Sequence, residues 1–513
     1  MTMKRKQSIG KRSYDTLKSW HKYLGIALSL FLIWMSLSGI ILNHPDWFAH
    51  YSVPKALIPE DYHPQNWNRE GVKDALFIGK DTIYFGGKHG LWISTDNGYT
   101  FEKENSKGFT TAPYYQKIND LLWLEKENKI LAATYGGLWI KNLTTHEWHQ
   151  VDLGKYSNAQ FVKVLRRKDE LIAFSQSGVY TTTIANPEKF IPRTLLRAER
   201  PYMDLIQFTF ALHSGWLWGL PGRLVYDIVA VILVFLSITA LYITLRKNFK
   251  KSGSCRRSKK RLGWMIRNHT RIGFWSLGIL LIIGGTGMFM RPPLLVALAN
   301  GKVPTKYIPS PILQNPWYHT LRNAVYDPAK DRIILDTTEG LFEGKGDLSS
   351  PFTTLEWDVN IFVMGATVME HLKGDEFMIG SFYGLYHYKE GDPNAYDIIM
   401  NDTVPLYTSV GRPGLYMIGG DFQTPEGDHY ISAYGQGLLP FKQVDPNRFQ
   451  QPHTLRDSYR MPLWNYMFEL HNARLFRPIL DKWVIIVIPL TGLLFLVLNI
   501  SGAYEYLYRK WKK

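Results

Sequence analysis

Four of the fifteen histidines in this 513-residue chain stand beside long apolar runs, and they come in two repeated settings. His21 opens HKYLGIALSLFLIWMSLSGIILNH, and His269 opens HTRIGFWSLGILLIIGGTGMFM. Both stretches obey H-x3-G-x12-[ST]-G without a gap. The first copy places His21, Gly25 and Ser38-Gly39, and the second places His269, Gly273 and Thr286-Gly287. At 3.6 residues per turn, a separation of eighteen is five turns of a straight helix. Each histidine then shares a face with its distal glycine and lies near the glycine at i+4. His213 in LHSG and His471 in LHNA precede the two other apolar runs at matching places. Ionisable groups in hydrocarbon are costly and tend to be functional. Glycines on the same stripe leave room for something flat and large. The bland alternative is close helix packing, because small residues line helix interfaces in membranes in any case.

Two neutral imidazoles that face one another in an apolar bundle suit haem, whose iron takes two axial histidines. Zinc or copper would want a third or fourth protein ligand, and the spans carry no cysteine, no H-x3-H and no E-x2-H. The expected iron ligands are His21 with His269 at the inner end of the bundle and His213 with His471 at the outer end. That makes two haems of the b type. Gly25, Gly39, Gly273 and Gly287 give them space. Haem propionates need cations, and Arg223, Arg474 and Arg477 lie near the outer pair, with Lys22, Arg267 and Arg271 near the inner one; ordinary snorkelling to the interface explains the same residues. Asp227 and Asp481 open the second and fourth spans, either paired with those arginines or marking the water boundary. His44 has Pro292 at its duplicate position, which favours an interfacial or substrate-facing residue over a ligand. The remaining histidines fall in polar loops or strands.

The elements that position these residues follow from composition. Mean hydropathy is close to zero, which fits a few spans plus a large aqueous part. The formal net charge is +16, but it is localised. Residues 1–22 carry seven Lys/Arg, 246–267 carry ten and 509–513 carry four. These clusters flank apolar runs, the positive-inside pattern, and the rest of the chain is slightly acidic, which argues against nucleic-acid binding. The expected organisation is a cytoplasmic N-terminus (1–22), a first span (23–45) and an outer segment (46–205). The second span with its entrance (206–245), a basic cytoplasmic loop (246–267) and a third span (268–291) follow. A second outer segment (292–465), a fourth span with its entrance (466–505) and a cytoplasmic tail (506–513) complete it. Both termini then face the cytoplasm of a bacterial cell and both large segments the periplasm. The single cysteine, Cys255, excludes an internal disulfide. The first apolar run is longer than a signal-peptide core and lacks a small-residue cleavage site, so it reads as an uncleaved span.

Each outer segment reads as β structure. Short alternating runs such as DTIYFGG, KILAATYGG and DRIILDTTEG are broken by Gly, Asn and Asp. A glycine–hydrophobic signature recurs at Gly90, Gly137 and Gly178, and again at Gly340, Gly384 and Gly437. Its spacing within each set, 41 to 53 residues, is the period of a four-stranded propeller blade. The stretch Ser94 to Phe101 resembles the Asp-box turn of propellers such as sialidases, which implies a hairpin capped by Asp96 and no catalysis. Half-sheets left apart would expose edges. The expected fold is therefore a mixed α and β membrane protein: four transmembrane helices in two duplicated pairs, with one propeller of about six blades built from both halves.

The set WHKYLG with a distal SG, LHSG-x3-G, H-x-R-I-G with a distal TG, and LHN-x-R resembles the PepSY-associated transmembrane family. That family includes bacterial inner-membrane ferrisiderophore reductases and other iron-regulated proteins. The resemblance covers the spans and their entrances. It implies haem-binding spans that carry electrons outward to a ferric chelate. The chain departs from the family pattern outside the membrane, where blades stand in place of smaller α+β modules.

Two functions of different class follow. One is an oxidoreductase that passes electrons across the inner membrane to an acceptor held outside, a ferric chelate or ferrisiderophore. No G-x-G-x-x-G opens a helix after a strand, so its donor is external, a quinol or a separate reductase. The other is a non-enzymatic propeller for binding, assembly or sensing, with the spans as anchor and the histidines as packing or pH-responsive groups.

Overall fold

The computed structural model describes residues 9–104, 107–198, 200–248, 256–299, 301–406 and 413–511. Cys255 and the ends of the basic segments lie outside them. The chain divides into two units, one of Met1–Phe48, Pro201–Gln314 and Trp464–Lys513, the other of Ala49–Arg200 and Asn315–Leu463.

The first unit is helical. Its longer helices are α1 (Ile9–Asn43), α2 (Leu205–Ser214), α3 (Gly219–Asn248), α4 (Arg256–Trp275), α5 (Leu277–Gly287), α6 (Leu463–His471, all but its first residue) and α7 (Val484–Trp511). Among the described residues three helical segments are long and apolar enough to cross a membrane: 11–43, 216–246 and 474–511. The pair α4 and α5 passes the same test together but is bent by 65°. The sequence predicts a straight third span that carries His269 and Gly287 on one face, and this bend breaks it. The physical reason sits at the joint. Ser276 donates its hydroxyl to the Ile272 carbonyl at 2.9 Å, a back-bond that bends helices slightly. Gly273 and Gly278 flank it and cost the backbone little resistance.

Helix α1 packs against α3 and α7, and α5 packs against α7. Leu28, Leu32, Val229, Leu280, Phe495 and Leu498 form the buried centre. Apolar side chains gain little by leaving lipid, so close van der Waals fit holds such a bundle. Gly284 supplies it: a Cβ there would stand 2.6 Å from Phe495 Cδ1.

The second unit is β. Six antiparallel sheets occupy residues 74–103, 118–150, 161–193, 321–354, 368–405 and 418–440, with four, four, four, four, five and three strands. In all six, the signature glycine is the first residue of the third strand. It pairs across a tight hairpin, as Ser175 with Gly178 and Thr337 with Gly340. At Gly137 and Gly340 φ is 111° and 108°, a region that side chains avoid. Asp96 caps the turn expected of it. Its Oδ1 accepts from the Thr100 amide at 2.9 Å and its Oδ2 from the Thr100 hydroxyl at 2.6 Å.

The first strand of each sheet packs beside the first strand of the next, and that of the sixth beside that of the first. Two equivalent clasps close the joints between the chain halves. Asn66 reaches from ahead of the first sheet to the Gln436 and Leu438 carbonyls of the sixth, each at 3.0 Å. Trp67, fully buried, donates Nε1 to the Phe449 carbonyl at 2.9 Å. At the other joint Asn315 reaches the Ser177 carbonyl at 2.7 Å, and buried Trp317 donates to the Leu195 carbonyl at 2.9 Å. The close approach excludes a side chain at Gly437, whose Cβ would lie 1.7 Å from the Asn66 oxygen.

Candidate functional site

The helical unit brings both histidine pairs together. The ring centres of His21 and His269 are 6.1 Å apart, and those of His213 and His471 are 6.4 Å apart. A metal held between two imidazoles sets the bound nitrogens about 4 Å apart, twice a bond of about 2 Å, and the ring centres about 6 Å apart.

Each histidine is oriented through Nδ1. His21 Nδ1 lies 3.0 Å from the Leu498 carbonyl, and His213 Nδ1 lies 3.1 Å from the Ile283 carbonyl and 3.1 Å from Thr286 Oγ1. A carbonyl only accepts, so these two Nδ1 atoms carry protons. His269 Nδ1 meets Thr239 Oγ1 at 2.8 Å, and His471 Nδ1 meets Ser38 Oγ at 2.8 Å. Those hydroxyls already donate to their own helices, Thr239 to the Phe235 carbonyl and Ser38 to the Trp34 carbonyl, each at 2.8 Å. A hydroxyl has one proton, so it accepts from the imidazole. All four rings therefore carry a proton on Nδ1, which in the neutral imidazole leaves Nε2 unprotonated, and no hydrogen bond among the described residues engages Nε2. This is how proteins present a histidine to a metal. Among the described residues no group of three or more His, Cys, Asp or Glu could hold a metal ion. Two ligands per site suit an iron whose other positions a macrocycle fills, so the donor set fits haem.

The glycines divide. Gly39 and Gly287 lie under the outer rings: a Cβ at Gly287 would stand 2.9 Å from His213 Cε1, and one at Gly39 would stand 3.8 Å from His471 Cε1. Gly25 and Gly273 face Leu498 and Leu236, not a histidine, at 3.7 Å. The inner ring of His21 lies instead over Gly502, whose Cβ would be 2.7 Å from His21 Cε1. The sequence reading missed Thr239-Ala240 and Ser501-Gly502. Their signal was a hydroxyl–small dipeptide at matching places of the second and last apolar runs.

The flanking charges are partly engaged. Arg223 donates to the Asn43 carbonyl at 2.9 Å and lies over Trp216. Arg474 lies 3.4 Å from Glu469, and its buried Nε has no hydrogen-bond partner among the described residues. Asp227 pairs with His44 Nε2 at 2.6 Å, not with an arginine. His44 is buried and stacks on Trp47, ring centres 3.8 Å apart.

The β unit holds a second cluster. A cavity of about 30 Å³ is lined by Lys73, Asp74, Asp120, Lys163, Glu370 and Asp421, among others. Asp120 is satisfied by Lys163 at 2.6 Å and the Val164 amide at 2.8 Å. Burial, with the charge of Asp120, pushes Asp74 up to about 7. Burial, with the charge of Asp421, pushes Glu370 up to about 7. Burial and the neighbouring Lys117 bring Lys73 down to about 8.

Apolar helices that carry paired histidines, interleaved in the chain with the two segments of a large β unit, define a membrane protein. Residues 18–509 match the family described as the PepSY-associated TM region. The chain belongs to that family. No curated protein matches it. Among solved structures, the extracellular domain of BT4673 from B. thetaiotaomicron aligns at 10% identity and a TM-score of 0.34, over 73% of this chain and 33% of that one. A second structure of the BT4673 extracellular domain aligns at 12% identity and 0.34, over 77% and 40%. YCF48 bound to D1 peptide aligns at 9% identity and 0.35, over 77% and 89%. This chain thus spans less than half the length of the BT4673 structures, and similarities at that level assign neither its fold nor its function.

Proposed function

We propose that this chain is a transmembrane haem-binding oxidoreductase of the bacterial inner membrane that delivers electrons to an extracytoplasmic ferric chelate or ferrisiderophore. One observation carries the reading: two imidazole pairs, each ring turned by an Nδ1 hydrogen bond so that Nε2 is free. His21 and His269 are the ligands of one haem b, and His213 and His471 those of the other. Haem supplies a one-electron ferric/ferrous couple at each position. The chain's own residues do the rest. The Leu498 and Ile283 carbonyls, Thr239 and Ser38 hold the tautomer and raise the basicity of Nε2. Gly39, Gly287 and Gly502 keep the rings seated. Arg223 and Arg474 neutralise propionates at the outer end.

In this reading the apolar run from Ile272 to Met290, bent at Ser276, makes the third span, both termini face the cytoplasm, and the six sheets are the blades of one propeller that holds the acceptor. The circular order of first strands and the paired clasps support the propeller. The donor is a quinol or a separate reductase. The test is an optical spectrum of the purified protein after haem-replete expression. A Soret band with the split visible bands of a low-spin b-type cytochrome is expected. Protein that purifies folded but colourless would leave the anchored, non-enzymatic binding module as the reading.

A further inference from the structure

Helix α4 has a second face that the histidine pairs do not use. Lys260, Trp264, Arg267, Arg271 and Trp275 follow one another at spacings of four, three, four and four residues, which lays them on a single stripe. His269 stands two residues from both Arg267 and Arg271, so it lies on the opposite side of the helix, roughly 160–200° around. Every residue of the stripe is exposed, with Trp264 at 48% and Trp275 at 77%. The helix contains no Asp or Glu. Among the described residues no ion pair engages Lys260, Arg267 or Arg271. The bend of 65° turns this helix away from the axis of α5. A membrane-spanning extension would not need a stripe of this kind. A helix that lies along the membrane surface would, with tryptophans at headgroup depth and cations facing the phosphates.

We propose that the Lys260–Trp264–Arg267–Arg271–Trp275 stripe binds the phosphate headgroups of anionic phospholipid, and that α4 is an interfacial helix. Charge complementarity selects the occupant: three unpaired cations with no acid between them need counter-anions, and the leaflet supplies phosphates at the spacing of its lipids. The interleaved tryptophans cover the glycerol and upper acyl region, which a soluble acidic partner would not offer them. The inference stands apart from the redox reading, because it uses only the face opposite His269.

The experiment uses the full chain in nanodiscs with spin-labelled phosphatidylglycerol or phosphatidylcholine, and measures the motionally restricted fraction of each. The expected result is a selectivity for phosphatidylglycerol of at least about fivefold, the weight of roughly one Lys or Arg at an anionic surface. It should shrink in molar salt. The triple variant Lys260→Gln, Arg267→Gln, Arg271→Gln should lose the selectivity, and the charge-retaining Arg267→Lys, Arg271→Lys should keep it. Equal restriction of the two lipids by the wild-type protein overturns the proposal. So does unchanged selectivity in the triple variant, or loss in the charge-retaining one. Capture of an acidic protein by a stripe that shows no lipid selectivity overturns it as well.

Discussion

Ser38 accepts a hydrogen bond from Nδ1 of His471 at 2.8 Å while it donates its own proton to the Trp34 carbonyl one turn back on α1, also at 2.8 Å. The hydroxyl is held at both ends, so it fixes both the tautomer and the direction of the ring. Ser38→Ala removes the acceptor and leaves Nδ1–H buried without a partner, which costs about 1–3 kcal/mol. If His471 holds haem, the variant should bind it roughly 10–100-fold more weakly. Thr239→Ala should do the same to the His269 site and leave the outer site loaded. Haem transfer to apomyoglobin measures both. Equal retention in wild type and variants would deny the hydroxyls this role.

The glycines under the rings are not equivalent. Gly39→Ala places its methyl at ordinary contact distance, 3.8 Å from His471, and should be tolerated. Gly287→Ala and Gly502→Ala place theirs 2.9 Å from His213 and 2.7 Å from His21, and each ring must shift. Gly287→Ala should therefore disturb the outer pair, Gly502→Ala the inner pair, and Gly39→Ala neither. Low-temperature EPR of the two low-spin signals separates the cases.

How much of this was readable in advance differs by element. The histidine pairs were legible because the duplication repeats one offset, and a repeated ionisable group in an apolar run is hard to explain by packing. The hairpin glycines were legible because a left-handed turn residue leaves a mark at Gly137 and Gly340. Thr239 and Ser501-Gly502 left only the faint mark of a hydroxyl–small dipeptide, because no histidine on their own helices points to them; their partners come from other spans. The break at Ser276 was hidden too. Hydropathy sees one continuous apolar run from Ile272 to Met290, and the bend falls at Ser276 between Gly273 and Gly278, a kink-prone setting that hydropathy does not record. The pairing of His44 with Asp227 joins residues 183 positions apart and required the fold.

The cavity of the β unit gives a pH dependence with a definite sign. Glu370 titrates near 7 in the folded protein, against an ordinary value of about 4.3. A raised carboxyl is a group that folding prefers protonated. Its contribution is complete below about pH 4, declines as pH rises through the window to about 7, and is gone above it. Glu370→Gln mimics the protonated form. The variant should match the wild type near pH 4.5 and melt a few degrees higher at pH 8, where about 1 kcal/mol corresponds to roughly 2–4 °C for a unit of this size. Thermal unfolding followed by tryptophan fluorescence at the two pH values checks this. A variant less stable at pH 8 would refute the assignment.

The clasps predict a graded loss. Trp67→Ala empties a fully buried site and frees the Phe449 carbonyl, for a cost of about 3–5 kcal/mol. Trp67→Phe keeps most of the volume and loses the hydrogen bond, for about 1 kcal/mol. Trp317→Ala and Trp317→Phe should follow the same order at the other joint. Denaturant midpoints rank the four variants, and a Trp→Phe change as costly as Trp→Ala would show that the hydrogen bond, not the packing, holds the joint.

The central claim is that two histidine pairs hold two redox groups at opposite ends of one helical unit. Its most direct test is the reduced-minus-oxidised optical spectrum of four single variants purified beside the wild type. His213→Ala and His471→Ala should each remove the same low-spin b-type component. His21→Ala and His269→Ala should each remove the other, and leave the remaining haem reducible by dithionite. A wild-type protein without a Soret band, or four variants with unchanged spectra, would contradict the account.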